Sequence, residues 1–347
     1  MNVRRRASVV RIIAAAAIAL AAGAVVLAAG GCQPIRQYQA SLHIASGDAL
    51  VAEDDIESAL KEFQAAAELD PQMATAHSRM GVLYRRMGEY ELAIDAFVEA
   101  IRRDPFSFDD TFNLAQLYHF SKRLTDAVRA YLHAVDLRPQ SFDAQLNLGV
   151  CYQQTGDHAA AAERFRRAIA IDPDRPHAYV NLGVAYDAQE KYYEAVRAFK
   201  EALERDATQP LVLVNLANTY MKQNRLKTAR HTLEEALRMD PTLAAAHEAL
   251  GYCRFQLRDY DAAEAAYKDA LAYDSRLPRS FAGLGSIQML RYLEDRSNTR
   301  TRDAALEYWH RSLEVDPDQP RIRSLISRYQ PEWTDPAQAL LNETPQH

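Results

Sequence analysis

A pattern of alanine, aromatic and proline residues recurs every 34 positions along this 347-residue chain, and no other feature limits its fold as strongly. An alanine lies twelve residues before the last position of the pattern, an aromatic residue usually lies eight before it, and a second alanine lies five before it. The last position is held by Pro71, Pro105, Pro139, Pro173, Ala207, Pro241 and Ser275. Seven copies fit within residues 40–277 without an insertion, which predicts a stack of repeats instead of one globular core.

Each copy is predicted to be a pair of helices. Two amphipathic stretches of about a dozen residues have the spacing of helices that bury one face. Gly88, Gly156 and Asn224 stand between the stretches, where a left-handed residue ends the first helix. The proline ends the second helix, because it lacks an N–H and its ring clashes with the preceding turn. Small residues stand where the two helices are expected to touch: Gly47, Gly81, Ala115, Gly149, Gly183, Ala217 and Gly251.

The repeated pattern closely resembles the tetratricopeptide repeat family. The resemblance implies an all-α fold, a right-handed superhelical solenoid of antiparallel helix pairs with a concave groove. It covers seven repeats in residues 40–277, and an eighth, lengthened repeat follows in residues 278–319. Extra residues within 291–303 predict either an extended first helix of the eighth repeat or a charged loop. A capping helix is expected over residues 320–330 and a mobile tail over 331–347, since a last repeat would otherwise expose its apolar side.

The first 31 residues have the parts of an export signal. Arg4 to Arg6 provide a positive start, and an uncharged apolar run over residues 12–29 precedes Cys32. A cysteine directly after small residues resembles the lipobox of bacterial lipoproteins, which implies lipidation at Cys32. Ala29 stands where that family prefers leucine, so two alternatives stay open: an uncleaved transmembrane anchor and simple secretion. We expect an exported chain anchored on the periplasmic side of the cell envelope, with residues 32–39 as a short linker.

A row of asparagines recurs on the first helices of four successive repeats. Asn113, Asn147, Asn181 and Asn215 are each 34 residues apart. Carboxamides both donate and accept hydrogen bonds, which suits the backbone of an extended peptide. The row resembles the asparagine ladder in the tetratricopeptide superhelix of O-linked N-acetylglucosamine transferases, where equivalent residues hold substrate backbone; the transferase domain is absent here. The alternative is that these asparagines are only solvated.

Apolar residues precede the asparagines by one position and are candidates for shallow peptide-binding pockets. They are Phe112, Leu146, Val180 and Val214. The alternative is that some of them pack between repeats. A basic cluster of Arg79, Arg85 and Arg86 lies on the first helix of the second repeat, where a solvated charged face is the simpler interpretation.

Charge and motifs argue against several other functions. The formal net charge is −6, and the four arginines of the leader carry +4, so the remainder carries −10. An acidic body argues against nucleic-acid binding. No phosphate loop, zinc-binding helix motif or nucleophile elbow is present, so we expect no catalytic residues, cofactor or small-molecule substrate. His43, His77 and His247 are a repeat or more apart, which is too far to share a metal.

The sequence therefore predicts a scaffold or adaptor at the cell envelope, which binds a protein or peptide partner in a groove and catalyses no reaction. The membrane would be reached through the N-terminus. An alternative function is a substrate-presenting accessory module of a glycosyltransferase or another envelope enzyme system. The free cysteines at positions 151 and 253 are interpreted as small core residues.

Overall fold

The computed structural model describes residues 32–330, and all of its regular structure in that range is helical. These residues fall into two compact bodies, which divide after Thr155. The N-terminal body contains α1 (Cys32–Ala52), α2 (Ile56–Leu69), α3 (Ala74–Met87), α4 (Tyr90–Arg103), α5 (Phe108–Phe120), α6 (Leu124–Leu137) and α7 (Phe142–Gln154). The C-terminal body contains α8 (His158–Ile171), α9 (Pro176–Ala188), α10 (Tyr192–Arg205), α11 (Pro210–Lys222), α12 (Leu226–Met239), α13 (Ala244–Gln256), α14 (Tyr260–Tyr273), α15 (Pro278–Glu294), α16 (Thr299–Val315) and α17 (Pro320–Tyr329).

Each predicted repeat corresponds to two consecutive helices. In the N-terminal body α1 packs on α2, α3 on α4, and α5 on α6. In the C-terminal body the hairpins are α9 with α10, α11 with α12, α13 with α14, and α15 with α16. The fourth repeat consists of α7 and α8, and the division between the bodies falls between these two helices. The all-α prediction is confirmed, as is the assembly from antiparallel helix pairs.

The turn between the two helices of a repeat has a left-handed residue at one fixed position. Glycine holds it at Gly88 and Gly156, with φ of 82° and 84°. In the other repeats the position is held by Asp54, Lys122, Glu190, Asn224 and Arg258, all with φ between 58° and 65°. The backbone thus repeats the same turn whichever side chain is present, although only glycine adopts this conformation without steric cost.

Close approach of the two helices explains the glycines on the first helix of a repeat. A Cβ atom built on Gly81 would lie 3.0 Å from the ring of Phe97, and one on Gly183 would lie 2.6 Å from the ring of Phe199. The contact at Gly183 is closer than real Cβ atoms show and the one at Gly81 is tighter than most, so a side chain at either position requires the facing ring to shift. The predicted helix contact is therefore confirmed at these glycines.

The core is built from the alanines and aromatic residues of the repeated pattern. Phe63 and Phe97 are fully buried, and Tyr131 and Phe199 are each 1% exposed. The alanines twelve and five residues before the last position are all fully buried in the described part of the chain: Ala59, Ala66, Ala93, Ala100, Ala127, Ala134, Ala161, Ala168, Ala195, Ala202, Ala229, Ala236, Ala263 and Ala270.

Two arginines tie consecutive repeats together at the backbone. Arg205, at the end of α10, donates from Nε to the carbonyl oxygen of Pro173 at 2.5 Å and from Nη1 to the carbonyl oxygen of Glu201 at 2.6 Å. Arg103, three repeats earlier, donates to Pro71 and Glu99 in the same way. The bond to the proline carbonyl satisfies an acceptor in the loop that joins one repeat to the next.

Two sequence-based boundaries need correction. Residues 32–39, expected as a linker, form the first two turns of α1, because Pro34 stands in the first helical turn, where proline is tolerated. The insertion in the eighth repeat lengthens both of its helices: α15 and α16 have 17 residues each, whereas α13 and α14 have 13 and 14.

The end of the described chain matches the predicted cap. Ile322 and Ile326 of α17 pack in one cluster with Trp309, which is 1% exposed. The predicted leader and tail lie outside the described residues. Within residues 32–330, no helix is both long and apolar enough to cross a membrane.

Candidate functional site

The four predicted asparagines lie at equivalent positions on first helices, two in each body. Asn113 and Asn147 are on α5 and α7, and Asn181 and Asn215 are on α9 and α11. We call the surface of the first helices that carries these positions the ladder face, and describe it separately for each body. In the C-terminal body α9 contacts α11, α11 contacts α13, and α13 contacts α15, so first helices lie side by side along it.

In the N-terminal body both asparagines interact with neighbouring side chains. Arg85 of α3 donates from Nη1 to Oδ1 of Asn113 at 2.7 Å and to Oε1 of Gln116 at 3.3 Å. The Asn147 side chain lies beside the hydroxyl of Tyr131; burial raises the pKa of Tyr131, and the amide of Asn147 partly offsets that effect. A ligand must therefore compete with these internal partners.

In the C-terminal body both asparagines are available. Asn181 and Asn215 are partly exposed, and neither side chain has a hydrogen-bond partner within residues 32–330. Partly buried amides without protein partners have unused hydrogen-bonding capacity. The two halves of the predicted ladder thus differ, and the half on α9 and α11 has free donors and acceptors.

The apolar residues beside the asparagines are only partly accessible. Val214 is 5% exposed and belongs to the main hydrophobic cluster of the C-terminal body, so it offers a ligand almost no surface. Phe112 is half-buried, with its ring centroid 5.7 Å from that of Tyr131. Val180 packs at the edge of the same cluster as Val214, whereas Leu146 is partly exposed.

Two more exposed apolar side chains lie on the same face and were missed by the sequence analysis. Leu211 of α11 is 57% exposed, and Tyr252 of α13 is 48% exposed. Leu211 precedes Val214 by three residues and Asn215 by four, and these spacings place side chains on one face of a helix. The sequence signal that could have identified Leu211 is its spacing of four residues from Asn215.

The predicted basic cluster is largely neutralised. Arg79 pairs with Asp48 at 2.8 Å, and Arg86 pairs with Asp54. In the C-terminal body Lys222 pairs with Asp187 at 2.5 Å. These groups are partly or well exposed, so their charges are screened by solvent.

The histidines and cysteines have local structural surroundings. Nδ1 of His43 lies 2.8 Å from Glu62, and Nε2 of His247 lies 2.9 Å from the carbonyl oxygen of Pro241. Cys151 and Cys253 are free buried thiols, and burial raises the pKa of both, to about 11 for Cys151. Across residues 32–330 no three His, Cys, Asp or Glu side chains are grouped so that they could hold a metal ion. Lipidation of Cys32 concerns a side chain outside those described.

A comparison with protein-family models agrees with this repeat geometry. The tetratricopeptide repeat model matches residues 44–108, 112–176 and 214–278, and a second tetratricopeptide repeat model matches residues 176–208. The chain belongs to the tetratricopeptide repeat family. Each of the first seven repeats is therefore matched by one of the two family models, in agreement with the 34-residue register.

Solved structures of tetratricopeptide repeat proteins have similar folds. The C-terminal part of a repeat protein from Cytophaga hutchinsonii is 20% identical, with a TM-score of 0.57 over 70% of this chain and 99% of that one. For pilF of Pseudomonas aeruginosa the identity is 22% and the TM-score 0.51, over 65% and 99% of the chains. A chain of the APC/C hetero-tetramer Cut9-Hcn1 is 18% identical, with a TM-score of 0.55 over 85% and 58%. At these identities the likeness shows the fold alone.

No curated protein matches this sequence. The tetratricopeptide repeat fold is typical of scaffolds for protein–protein interaction.

Proposed function

We propose that this tetratricopeptide repeat chain is a non-catalytic adaptor at the cell envelope, and that its ladder face binds an extended segment of a partner protein. The observation that carries the proposal is the state of Asn181 and Asn215. Both carboxamides are partly exposed on neighbouring helices and have no side-chain or backbone partner within residues 32–330. Such groups are ready to bind the N–H and C=O groups of a peptide backbone.

The spacing of the helices suits an extended peptide. Packed helices lie roughly 8–10 Å apart, and an extended chain rises about 3.3 Å per residue. Asn181 and Asn215 would then contact peptide groups about three residues apart. Contacts to the backbone carry no sequence information, so the asparagines provide affinity for many segments and select none of them.

Side-chain selection requires other groups on the same face. Each amide contact contributes about 0.5–1.5 kcal/mol net, so two contacts alone give only weak binding. The exposed side chains of Leu211 and Tyr252 offer apolar surface next to the asparagines. Leu211 and Tyr252 are therefore the residues in the C-terminal body on which a partner's apolar side chains are expected to pack.

A binding function is supported by the chemistry of the ladder-face side chains. The ladder face supplies amides, apolar surface and scattered charges. This set of groups suits recognition of a partner.

The proposed location depends on the sequence of the leader. A positive start, an apolar run over residues 12–29 and Cys32 favour export followed by anchoring through a lipid on Cys32. The repeats would then extend from the periplasmic side of a membrane, and the adaptor would hold its partner near that membrane.

The proposal is tested by capture of partners with the full-length chain in detergent. The first variant is N181A/N215A, and the matched control is K200A/E204A, which removes two exposed side chains from α10 and leaves the net charge unchanged. Far-ultraviolet circular dichroism checks that every variant retains its helix content. We expect the wild type and the control to capture the same envelope proteins and N181A/N215A to lose them.

Equal capture by N181A/N215A and the wild type would show that the ladder face is not the binding surface. Labelling of spheroplasts, whose outer membrane has been opened, with a reagent that does not cross the inner membrane tests the location separately. Full protection of the folded chain in such spheroplasts would contradict a location on the periplasmic side.

A further inference from the structure

A carboxylate interrupts the apolar series on the ladder face of the C-terminal body. Glu248 of α13 holds the position that Val214 holds one repeat earlier. It is partly buried, and its Oε1 accepts a hydrogen bond from the hydroxyl of Ser280 at 3.1 Å. Ser280 lies in the first turn of α15, where the backbone N–H groups have no helical partner and Leu277 provides no side-chain cap.

Glu248 has no positive partner. Within residues 32–330 no lysine or arginine nitrogen lies within 4.0 Å of its carboxylate. Arg279 and Asp274 act on it only from a longer distance. Burial raises the pKa of Glu248, and the contacts with Ser280 and the charge of Arg279 only partly offset this effect.

A second glutamate in the same body shows how paired cations change the pKa of a partly buried carboxylate. Glu264 of α14 has a side chain only 14% exposed, but it pairs with Lys268 at 2.6 Å and with Arg291 at 2.5 Å. Burial alone would raise the pKa of Glu264, yet the hydrogen bonds from these two cations outweigh burial and lower it. A partly buried carboxylate is stabilised when cations pair with it. Glu248 lacks such a pair.

Aromatic side chains flank the same carboxylate. Tyr252 lies four residues after Glu248, on the same face of α13, and is 48% exposed. The buried phenol of Tyr267 is close to both, since its pKa is raised first by burial and then by the nearby Glu248 and Tyr252. A cation that contacts the Tyr252 ring is attracted by the negative face of the aromatic system.

The asparagine row ends where this group of side chains begins. The equivalent positions in the next two repeats are Ala249 and Gly283. A Cβ atom on Gly283 would lie 2.4 Å from the ring of Tyr267, so the ring occupies the space that an asparagine would need. The ladder face therefore changes from neutral amides on α9 and α11 to a carboxylate with an exposed tyrosine on α13.

We propose that Glu248 and Tyr252 form a subsite for one basic side chain, lysine or arginine, of the peptide segment bound along α9 and α11. The proposal rests on the function proposed above and adds a selection rule to it. The ammonium or guanidinium group would pair with the Glu248 carboxylate and lie against the Tyr252 ring. The hydrogen bond from Ser280 would hold that carboxylate in place.

The test compares two synthetic peptides on the full-length chain in detergent. Both are nine residues of alternating threonine and serine; one has lysine at its centre and the other has glutamine. Binding is followed by fluorescence anisotropy of a label on the peptide. We expect the lysine peptide to bind about tenfold more tightly than the glutamine peptide, since an ion pair and a cation–π contact act together.

Three variants locate the preference. In E248Q the lysine preference should disappear, while affinity for the glutamine peptide stays within about twofold of the wild type. Y252A should reduce the preference about threefold, and Y252F should keep it, because phenylalanine retains the aromatic face. The control E235Q changes an exposed glutamate of α12 and should have no effect.

The possible failures are distinguishable. Equal affinity of the wild type for both peptides would overturn the subsite and leave the peptide-binding function standing. A lysine preference that persists in E248Q would also overturn it. Absence of binding by either peptide at millimolar concentration would contradict the subsite together with the function on which it rests.

Discussion

Ser280 donates a hydrogen bond to Glu248 of the preceding repeat. The equivalent positions nearer the N-terminus hold Asp110 and Ser78, and there the direction is reversed, since Ser78 donates to Asp110. Asp110 accepts from Ser78 and also from Ser107, which is the N-cap of α5, so both of its oxygens are hydrogen-bonded. Glu248 receives hydrogen bonds only from Ser280 among the described residues. Asp110 is thus held by the side chains of two residues, whereas a single residue holds Glu248.

The raised pKa of Glu248 predicts a specific dependence of stability on pH. The folded chain binds the proton of Glu248 more tightly than the unfolded chain does, so this group lowers the free energy of unfolding as pH rises from the ordinary glutamate pKa of 4.5 through the raised folded pKa. E248Q removes the contribution. We expect E248Q to be at least as stable as the wild type at pH 7.5 and to lose this advantage at pH 4.

Urea unfolding of E248Q, the control E235Q and the wild type at both pH values measures the effect. Glu235 is exposed, so E235Q should behave like the wild type at each pH. A clear loss of stability in E248Q at pH 7.5 would mean that the charged carboxylate stabilises α15 more than its burial costs.

Protonation of the partly buried His77 should change stability in the opposite direction. His77 of α3 has an Nε2 atom without a partner among the described residues, and burial, followed by the charge of Arg103, lowers its pKa. Stability contributed by neutral His77 is present above the unfolded value of 6.5 and is lost as pH falls through the lowered folded value. We expect the urea midpoint of the wild type to fall more between pH 7.5 and pH 5 than that of H77Q.

The exposed His231 provides the comparison for this experiment. H231Q should retain the full pH dependence of the wild type, since its ring is already in solvent. Identical pH profiles of H77Q and the wild type would show that His77 does not couple protonation to folding.

The left-handed turn position offers a stability prediction with opposite signs at two sites. Lys122 has φ of 61°, and a left-handed conformation costs a residue with a side chain roughly 1–2 kcal/mol. K122G should remove that cost and lose about 0.5–1 kcal/mol through the flexibility of unfolded glycine, a net gain of up to about 1 kcal/mol.

The reverse change, G88A, should lower the free energy of unfolding by up to about 1 kcal/mol, since the lower flexibility of the unfolded alanine partly offsets the strain. No atom lies within 4 Å of a Cβ built on Gly88, so the whole effect would come from the backbone. Calorimetric melting of both variants provides the measurement. Destabilisation by K122G would show that the lysine side chain makes contacts worth more than the strain.

Removal of a buried aromatic ring should lower the free energy of unfolding much more than removal of an exposed one. Phe97 is fully buried, and F97A should lower the free energy of unfolding by about 3–5 kcal/mol. Phe106, nine residues later, is 82% exposed, and F106A should change stability by less than about 0.5 kcal/mol. Urea unfolding compares the two, and similar losses in both would contradict the assigned core.

The helices and turns could be predicted because their causes lie within one 34-residue repeat. The register places Lys122 and Glu190 in the left-handed position, although neither side chain indicates that conformation. Residues 32–39 were expected as a linker because they precede the first repeat, yet they are helical, and Pro34 is tolerated there because proline in the first turn costs no hydrogen bond.

The positions of the ladder could also be predicted, but the state of each position could not. Whether Asn113 is free depends on where the guanidinium of Arg85 points, and that is decided by packing one repeat away. Likewise Val214 and Leu211 are both apolar residues of α11, yet one is buried and the other is exposed. The rotation of α11 against its neighbours decides which of the two side chains is buried, and the sequence pattern of one repeat does not specify that rotation.

The most direct test of the account measures binding of the glutamine peptide to two half-ladder variants of the full-length chain. N181A/N215A should weaken binding about tenfold, since two free amides are lost at about 0.5–1.5 kcal/mol for each hydrogen bond. N113A/N147A should change it less than about threefold, because Asn113 already interacts with Arg85 and Asn147 with Tyr131. Unchanged affinity in N181A/N215A, with its helix content retained, would contradict the claim that the ladder face of the C-terminal body binds peptide.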